Sequence, residues 1–95
     1  MSNLKRILMV DDDDDLREAL ADQLVMTEEF DVFEAANGAE ALVKAKEQHY
    51  DLVILDVGLP DMDGRELCKV MRKQGVKCPI IMLTGHATDS DQILG

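Results

Sequence analysis

Three short blocks along this chain are apolar without interruption: ILMV at 7–10, LVIL at 52–55 and IIML at 80–83. Runs of this length with no polar alternation fit strands buried on both faces, as in a parallel sheet. Between them, apolar residues recur every three or four positions. Leu16, Ala19, Leu20 and Leu24 predict a helix from about 13 or 14 to 26 with that face inward. Ala41, Leu42 and Ala45 predict a second over 38–49, and Leu67, Cys68 and Met71 a third over 65–74, closed by Gly75. FDVFEA at 30–35 mixes apolar and charged residues and reads as an edge strand with one side in water. A fourth helix is expected from near Asp89, with Ser90 and Asp91 in its first turn, running toward Gly95.

The order β-α-β-α-β-α-β-(α) predicts an α/β fold, a doubly wound parallel sheet with helices on both faces. In such sheets, ligands gather outside the carboxyl ends of the strands, near the point where strand order reverses. All three apolar blocks end in oxygen-bearing side chains: Val10 runs into Asp11 and Asp12, Leu55 into Asp56, Leu83 into Thr84. Parallel strands put these ends on one edge, so three carboxylates and a hydroxyl are expected to converge. Crowded carboxylates repel, and a hard divalent cation relieves them. Mg²⁺ (or Mn²⁺) suits a site of one or two carboxylates plus phosphate oxygens. An aspartate beside such a cation can act as a nucleophile toward phosphorus and form an aspartyl-phosphate.

Composition narrows the picture. Ninety-five residues make one small domain that buries roughly 60–65% of its unfolded surface. The net charge of −10 argues against nucleic acid or an anionic membrane as direct partner of this segment, and suits a cation site. No apolar run reaches the roughly 18 residues of a membrane span, and the N-terminus lacks a signal-peptide pattern. Cys68 and Cys78 have neither metal-ligand nor redox spacing and read as free thiols of a cytoplasmic protein. Asp13, Asp14 and Asp15 read as a solvated, helix-capping run. An EF-hand starting at Asp11 fails, with Leu16 where glycine is needed and Asp22 where glutamate is needed. Asp61 and Asp63 read as turn chemistry, Met9, Met71 and Met82 as packing, and His49 as a surface residue.

The motifs ILMVDD, DLVILDVGLPDMDG and PIIMLTG, in this order and spacing, resemble the receiver domain of bacterial two-component response regulators over the whole chain. The resemblance implies a flavodoxin-like sheet of order 2-1-3-4-5. It implies that Asp56 is the phosphoacceptor, Asp12 the direct metal ligand of the acidic pair and Asp11 its water-mediated partner. It further implies the backbone carbonyl of Gly58 as third protein ligand and Thr84 as the switch hydroxyl. The phosphodonor would be a sensor histidine kinase or a small phosphodonor. Pro60 and Gly64 fit the family loop. His86, two past Thr84, is a candidate for tuning phosphoryl lifetime, and Gly58 leaves out a side chain that family members often carry there.

Family members continue for about 25 residues, with a lysine ending a fifth strand, an aromatic switch residue and a fifth helix. Lys73 and Lys77 do not stand in that lysine's place. The chain therefore reads as a partial receiver over 1–95, from the first strand to the start or end of the fourth helix, lacking the fifth strand and helix. Strand 80–83 would then present a long apolar edge and one sheet face would be bared, so self-association through that edge, or exchange of elements with a second copy, is expected. Three functions compete. The first is a phosphorylation-switched signalling domain that is not a turnover enzyme, preceding an output module by analogy. The second is an interaction or dimerisation module incompetent for phosphorylation in this form. The third is an aspartyl phosphohydrolase, disfavoured because Val57, Gly58, Leu59 and Pro60 follow Asp56 with no general acid two residues on.

Overall fold

The computed structural model describes residues 4–83 and the backbone of residues 93–94. The elements are β1 (Lys5–Val10), α1 (Asp14–Met26), β2 (Phe30–Ala35), α2 (Gly38–Glu47), β3 (Leu52–Asp56), α3 (Gly64–Lys73), β4 (Ile80–Leu83) and β5 (Ile93–Leu94). Strand order is β2-β1-β3-β4-β5. The first four strands are parallel, with Val10 level with Ala35 and Leu55, and Leu55 with Met82. The order reverses on the two sides of β1, which puts the switch point between the carboxyl ends of β1 and β3.

Alternation along the strands sorts side chains between two faces. Leu8, Val10, Val53, Leu55 and Ile80 pack with Ala41 of α2 and with Leu67 and Met71 of α3, and all of these but Ile80 are fully enclosed. On the other face, Met9, Ile54, Ile81 and Leu83 line an apolar groove of about 440 Å³ together with Leu20 and Leu24 of α1. β2 is an edge strand, as its mixed composition predicts.

The helices start and stop where the sequence signals. Asp13 caps α1 by accepting from the Leu16 amide, and Asn37 caps α2 by accepting from the Glu40 amide. Glu40 accepts from the amide of Ala36, the residue before the cap. At the end of α3, Gly75 takes φ +101°, its amide donates to Arg72 and the Val76 amide to Met71. These are the two bonds that close a helix on a left-handed residue.

Three expectations need correction. The inward face of α1 is rotated: Arg17 and Ala21 are buried and Leu20 and Leu24 half-buried, while Leu16 is 45% exposed and Ala19 also faces water. Arg17 takes the inward position because it finds partners there that the sequence pattern does not display. Ile93 and Leu94 are not helical; they pair antiparallel with Leu83 and Met82. The edge of β4 is therefore not bare along its whole length, because its free amide and carbonyl groups are a template that β5 fills over half the strand. The fifth position in the sheet is thus held by a two-residue antiparallel strand rather than by a parallel one. The start of the expected fourth helix, at Asp89 to Asp91, lies outside the described residues, as do Thr84 and His86.

Candidate metal centre

Asp56 is the last residue of β3 and is 9% exposed. Asp11 and Asp12 leave β1 beside it. The register that pairs Val10 with Leu55 carries the β1 end alongside the end of β3, and Asp11, Asp12 and Asp56 each offer a carboxylate oxygen within 4.8 Å of the others. Asp11 is half-buried and Asp12 exposed, so the cluster opens to solvent on one side. On the far side of β3, Asp56 is level with Leu83, and the Val57 amide donates to the Leu83 carbonyl at 2.9 Å. The residue that follows Leu83 is Thr84, outside the described residues.

The electrostatics are unrelieved. Burial, first, and then repulsion from Asp56, Asp12 and Asp13 push the Asp11 carboxyl above the usual range, although the Asp13 amide donates to its Oδ1 at 2.9 Å. An octahedral Mg²⁺ with bonds of roughly 2.1 Å separates its ligand oxygens by roughly 3 to 4 Å. The three carboxylates fit such an ion in number, hardness and spacing, with small adjustments or a bridging water. Gly58 lies two residues past Asp56 and donates its amide to Asp56 Oδ1 at 3.1 Å.

The loop between β3 and α3 is braced from outside. Asp63 caps α3 by accepting from the Arg65 amide at 2.8 Å. Asp61 reaches back to the start of α2, where Oδ1 accepts from the Gly38 amide at 2.8 Å and Oδ2 from the Ala39 amide at 3.0 Å. These bonds, the Gly38 amide foremost, hold the Asp61 carboxyl below the usual range. The Gly64 amide donates to the Val57 carbonyl at 2.8 Å, tying the first turn of α3 to the end of β3. The turn reading of Asp61 missed this tether, since its partners lie more than twenty residues upstream. Asp13, Asp14 and Asp15 are exposed and start α1, as read from the sequence, and His49 is exposed. Cys68 and Cys78 are free thiols, both half-buried.

A family model, response regulator receiver domain, matches residues 7–94. The chain belongs to the response regulator receiver domains. Among curated relatives, this receiver domain is 43% identical over 91 residues to the alkaline phosphatase synthesis transcriptional regulatory protein PhoP of Bacillus subtilis, covering 96% of this chain and 38% of that protein. The chain thus spans less than two-fifths of the length of that relative. Among solved structures, it resembles the response regulator TrrA of Thermotoga maritima in complex with histidine kinase ThkA, with TM-score 0.79, 39% identity and coverage of 94% of this chain and 76% of that one. It also resembles TrrA in complex with Mg²⁺ and BeF, with TM-score 0.74, 37% identity and coverage of 92% and 76%. No helix among the described residues is long and apolar enough to cross a membrane.

Proposed function

We propose that this receiver domain is a phosphoacceptor signalling domain in which Asp56 takes a phosphoryl group from a sensor histidine kinase or a small phosphodonor. The observation that carries the reading is a buried carboxylate at the end of a central strand, within reach of two more from the neighbouring strand. Asp11, Asp12, Asp56 and the Gly58 carbonyl would hold Mg²⁺ (or Mn²⁺), which when bound offsets charge on the phosphoryl oxygens. Asp56 Oδ1 is engaged by the Gly58 amide, and Oδ2 has no hydrogen-bond partner among the described residues. Oδ2 is then the nucleophile. It forms the new O–P bond as the donor's N–P or O–P bond breaks, and the leaving imidazole or acyl oxygen keeps the bonding pair. Thr84 would supply the hydroxyl that reads the phosphoryl group. The domain acts as a switch rather than as a turnover enzyme. The TrrA structures support the reading by analogy, one holding a histidine kinase and the other Mg²⁺ with BeF.

Intact-protein mass after incubation with acetyl phosphate and Mg²⁺ tests this for wild type and Asp56→Ala. One phosphoryl adduct, absent from the variant, is expected. No adduct on wild type would sink the phosphoacceptor reading for this chain and favour an interaction module. Self-association with a second copy remains part of the proposal, through the Ile80 and Ile81 portion of the β4 edge that β5 does not pair. Light scattering over a wide concentration range tests it, and a monomer throughout refutes it.

A further inference from the structure

Arg17 is one of two buried charged residues among those described, the other being Asp56. A guanidinium with only 11% of its side chain exposed needs partners, and it has three. Its Nη1 donates to the backbone carbonyl of Asp11 at 2.6 Å, its Nε to Glu34 Oε1 at 2.9 Å, and its Nη2 pairs with Asp14 Oδ1 at 2.7 Å. Burial works against the charge, yet Asp14 and Glu34 together hold the group's pKa above its ordinary value. The rigid fork thus joins the ends of β1 and β2 and the first turn of α1, which a single-point cation could not do.

The contact that matters is the one to the Asp11 carbonyl. A peptide unit is planar, so holding that oxygen fixes the plane that also contains the Asp12 amide and both flanking Cα atoms. These are the Cα atoms from which the Asp11 and Asp12 carboxylates spring. The other side of Asp11 is fixed independently, by its amide on the Ala35 carbonyl at 3.1 Å. We propose that Arg17 is a positioning residue for the acid cluster, its guanidinium setting the Asp11–Asp12 peptide plane and hence where both carboxylates stand relative to Asp56. This rests on the reading of that cluster as a divalent-cation site.

Electrostatics and positioning predict opposite signs. Removing a buried cation beside three carboxylates strengthens a divalent cation's binding if charge alone counts. It weakens binding if the guanidinium's task is to hold the ligands in place. Free Mn²⁺ measured by electron paramagnetic resonance gives the affinity without any phosphorylation step, for wild type, Arg17→Gln, Arg17→Lys and Asp12→Asn. Arg17→Gln is expected to bind Mn²⁺ about ten-fold more weakly, as for other groups that orient metal ligands. Arg17→Lys keeps the charge but not the fork and is expected to fall between the two. Its affinity carries the test alone if Arg17→Gln fails to fold, since charge alone predicts no change there. Unchanged or tighter binding in a folded Arg17 variant, with Asp12→Asn impaired, overturns the positioning role and leaves the cation site standing. Wild type that binds no Mn²⁺ overturns both.

Discussion

Adding one methyl group at Gly64 tests how tightly the first turn of α3 is set against β3, the strand that ends in Asp56. An ideal Cβ there lies 2.6 Å from the Asp56 carbonyl oxygen, 2.8 Å from Val57 Cα and 2.8 Å from Leu55 Cδ1. Ordinary contacts between such atoms are about 3.5–4.0 Å, so the overlap is about 1 Å at three places. Two of the three atoms are main chain, and Leu55 is fully buried, so none can swing away. α3 must back off from β3, against the 2.8 Å bond from the Gly64 amide to the Val57 carbonyl. Overpacking of this kind costs about 1–3 kcal/mol, and rigid partners favour the upper end. The loss of unfolded-chain freedom from glycine to alanine returns about 0.4–1 kcal/mol. Gly64→Ala is therefore expected to lose about 2 kcal/mol net, which lowers Tm by about 8–16 °C in a domain of this size. A shift of about 1 Å at Asp56 would also slow phosphorylation about 100-fold.

Two other glycines serve as internal controls. At Gly58 the nearest atom is Asp56 Oδ1, at 4.0 Å, and Gly58→Ala is expected to stay within about 0.5 kcal/mol of wild type. At Gly38 the Cβ meets Met62 Cγ and Sδ at 2.7 Å, but these belong to one flexible side chain, so Gly38→Ala is expected to cost about 1 kcal/mol. Thermal and urea unfolding followed by circular dichroism, without metal and at one protein concentration, ranks the three. Gly64→Ala within about 0.5 kcal/mol of wild type, or no worse than Gly58→Ala, would refute the steric argument.

Three further outcomes are expected. Asp56→Asn removes a like charge that repels Asp11, so it should stabilise the metal-free domain and abolish stabilisation by Mg²⁺, which in wild type reaches about 2.7 kcal/mol at a hundred times Kd; paired thermal scans with Mg²⁺ and with EDTA check both signs. The Asp61 carboxyl is depressed by the Gly38 and Ala39 amides, so its contribution is present above the ordinary aspartate value and lost as pH falls through the depressed one. Asp61→Asn should then flatten the acid limb of a Tm-against-pH curve, and an unaltered limb would count against the tether. Leu67→Ala should cost about 2–5 kcal/mol, since Leu67 is fully enclosed, whereas Leu16→Ala should cost less than about 0.5 kcal/mol at 45% exposure; equal urea midpoints would contradict the observed helix faces.

The strands and the acid cluster were legible because parallel strands buried on both faces read as unbroken apolar blocks, and a carboxylate following such a block has few places to go. ILMV, LVIL and IIML each mark a strand, and Asp11, Asp12 and Asp56 meet where the topology requires. What escaped was long-range partnership. A charged residue in a helix reads as surface, so Arg17 went unread; its burial depends on Glu34, seventeen residues away, and on a backbone carbonyl with no sequence signature. Asp61 looks like any turn aspartate until α2 is placed beside it. Ile93 and Leu94 carry a helix-compatible pattern, and only the neighbouring β4 edge gives them strand partners.

Arg17 and Asp61 concern the same feature of the site. Asp11 and Asp12 stand on a loop pinned by Arg17 from one side of the sheet's edge. Asp56 opens a loop pinned by Asp61 on α2 and by the fit of Gly64 against the strand. Among the described residues none of these braces is made to a side-chain oxygen of Asp11, Asp12 or Asp56, so those carboxylates keep the mutual repulsion that adds to burial in raising the Asp11 carboxyl. Ligands braced from behind keep their side-chain oxygens available to a divalent cation. If Arg17 instead reached into the cluster, it would compete with the metal and lower its affinity. The opposite response of Mn²⁺ binding to Arg17→Gln separates these two arrangements.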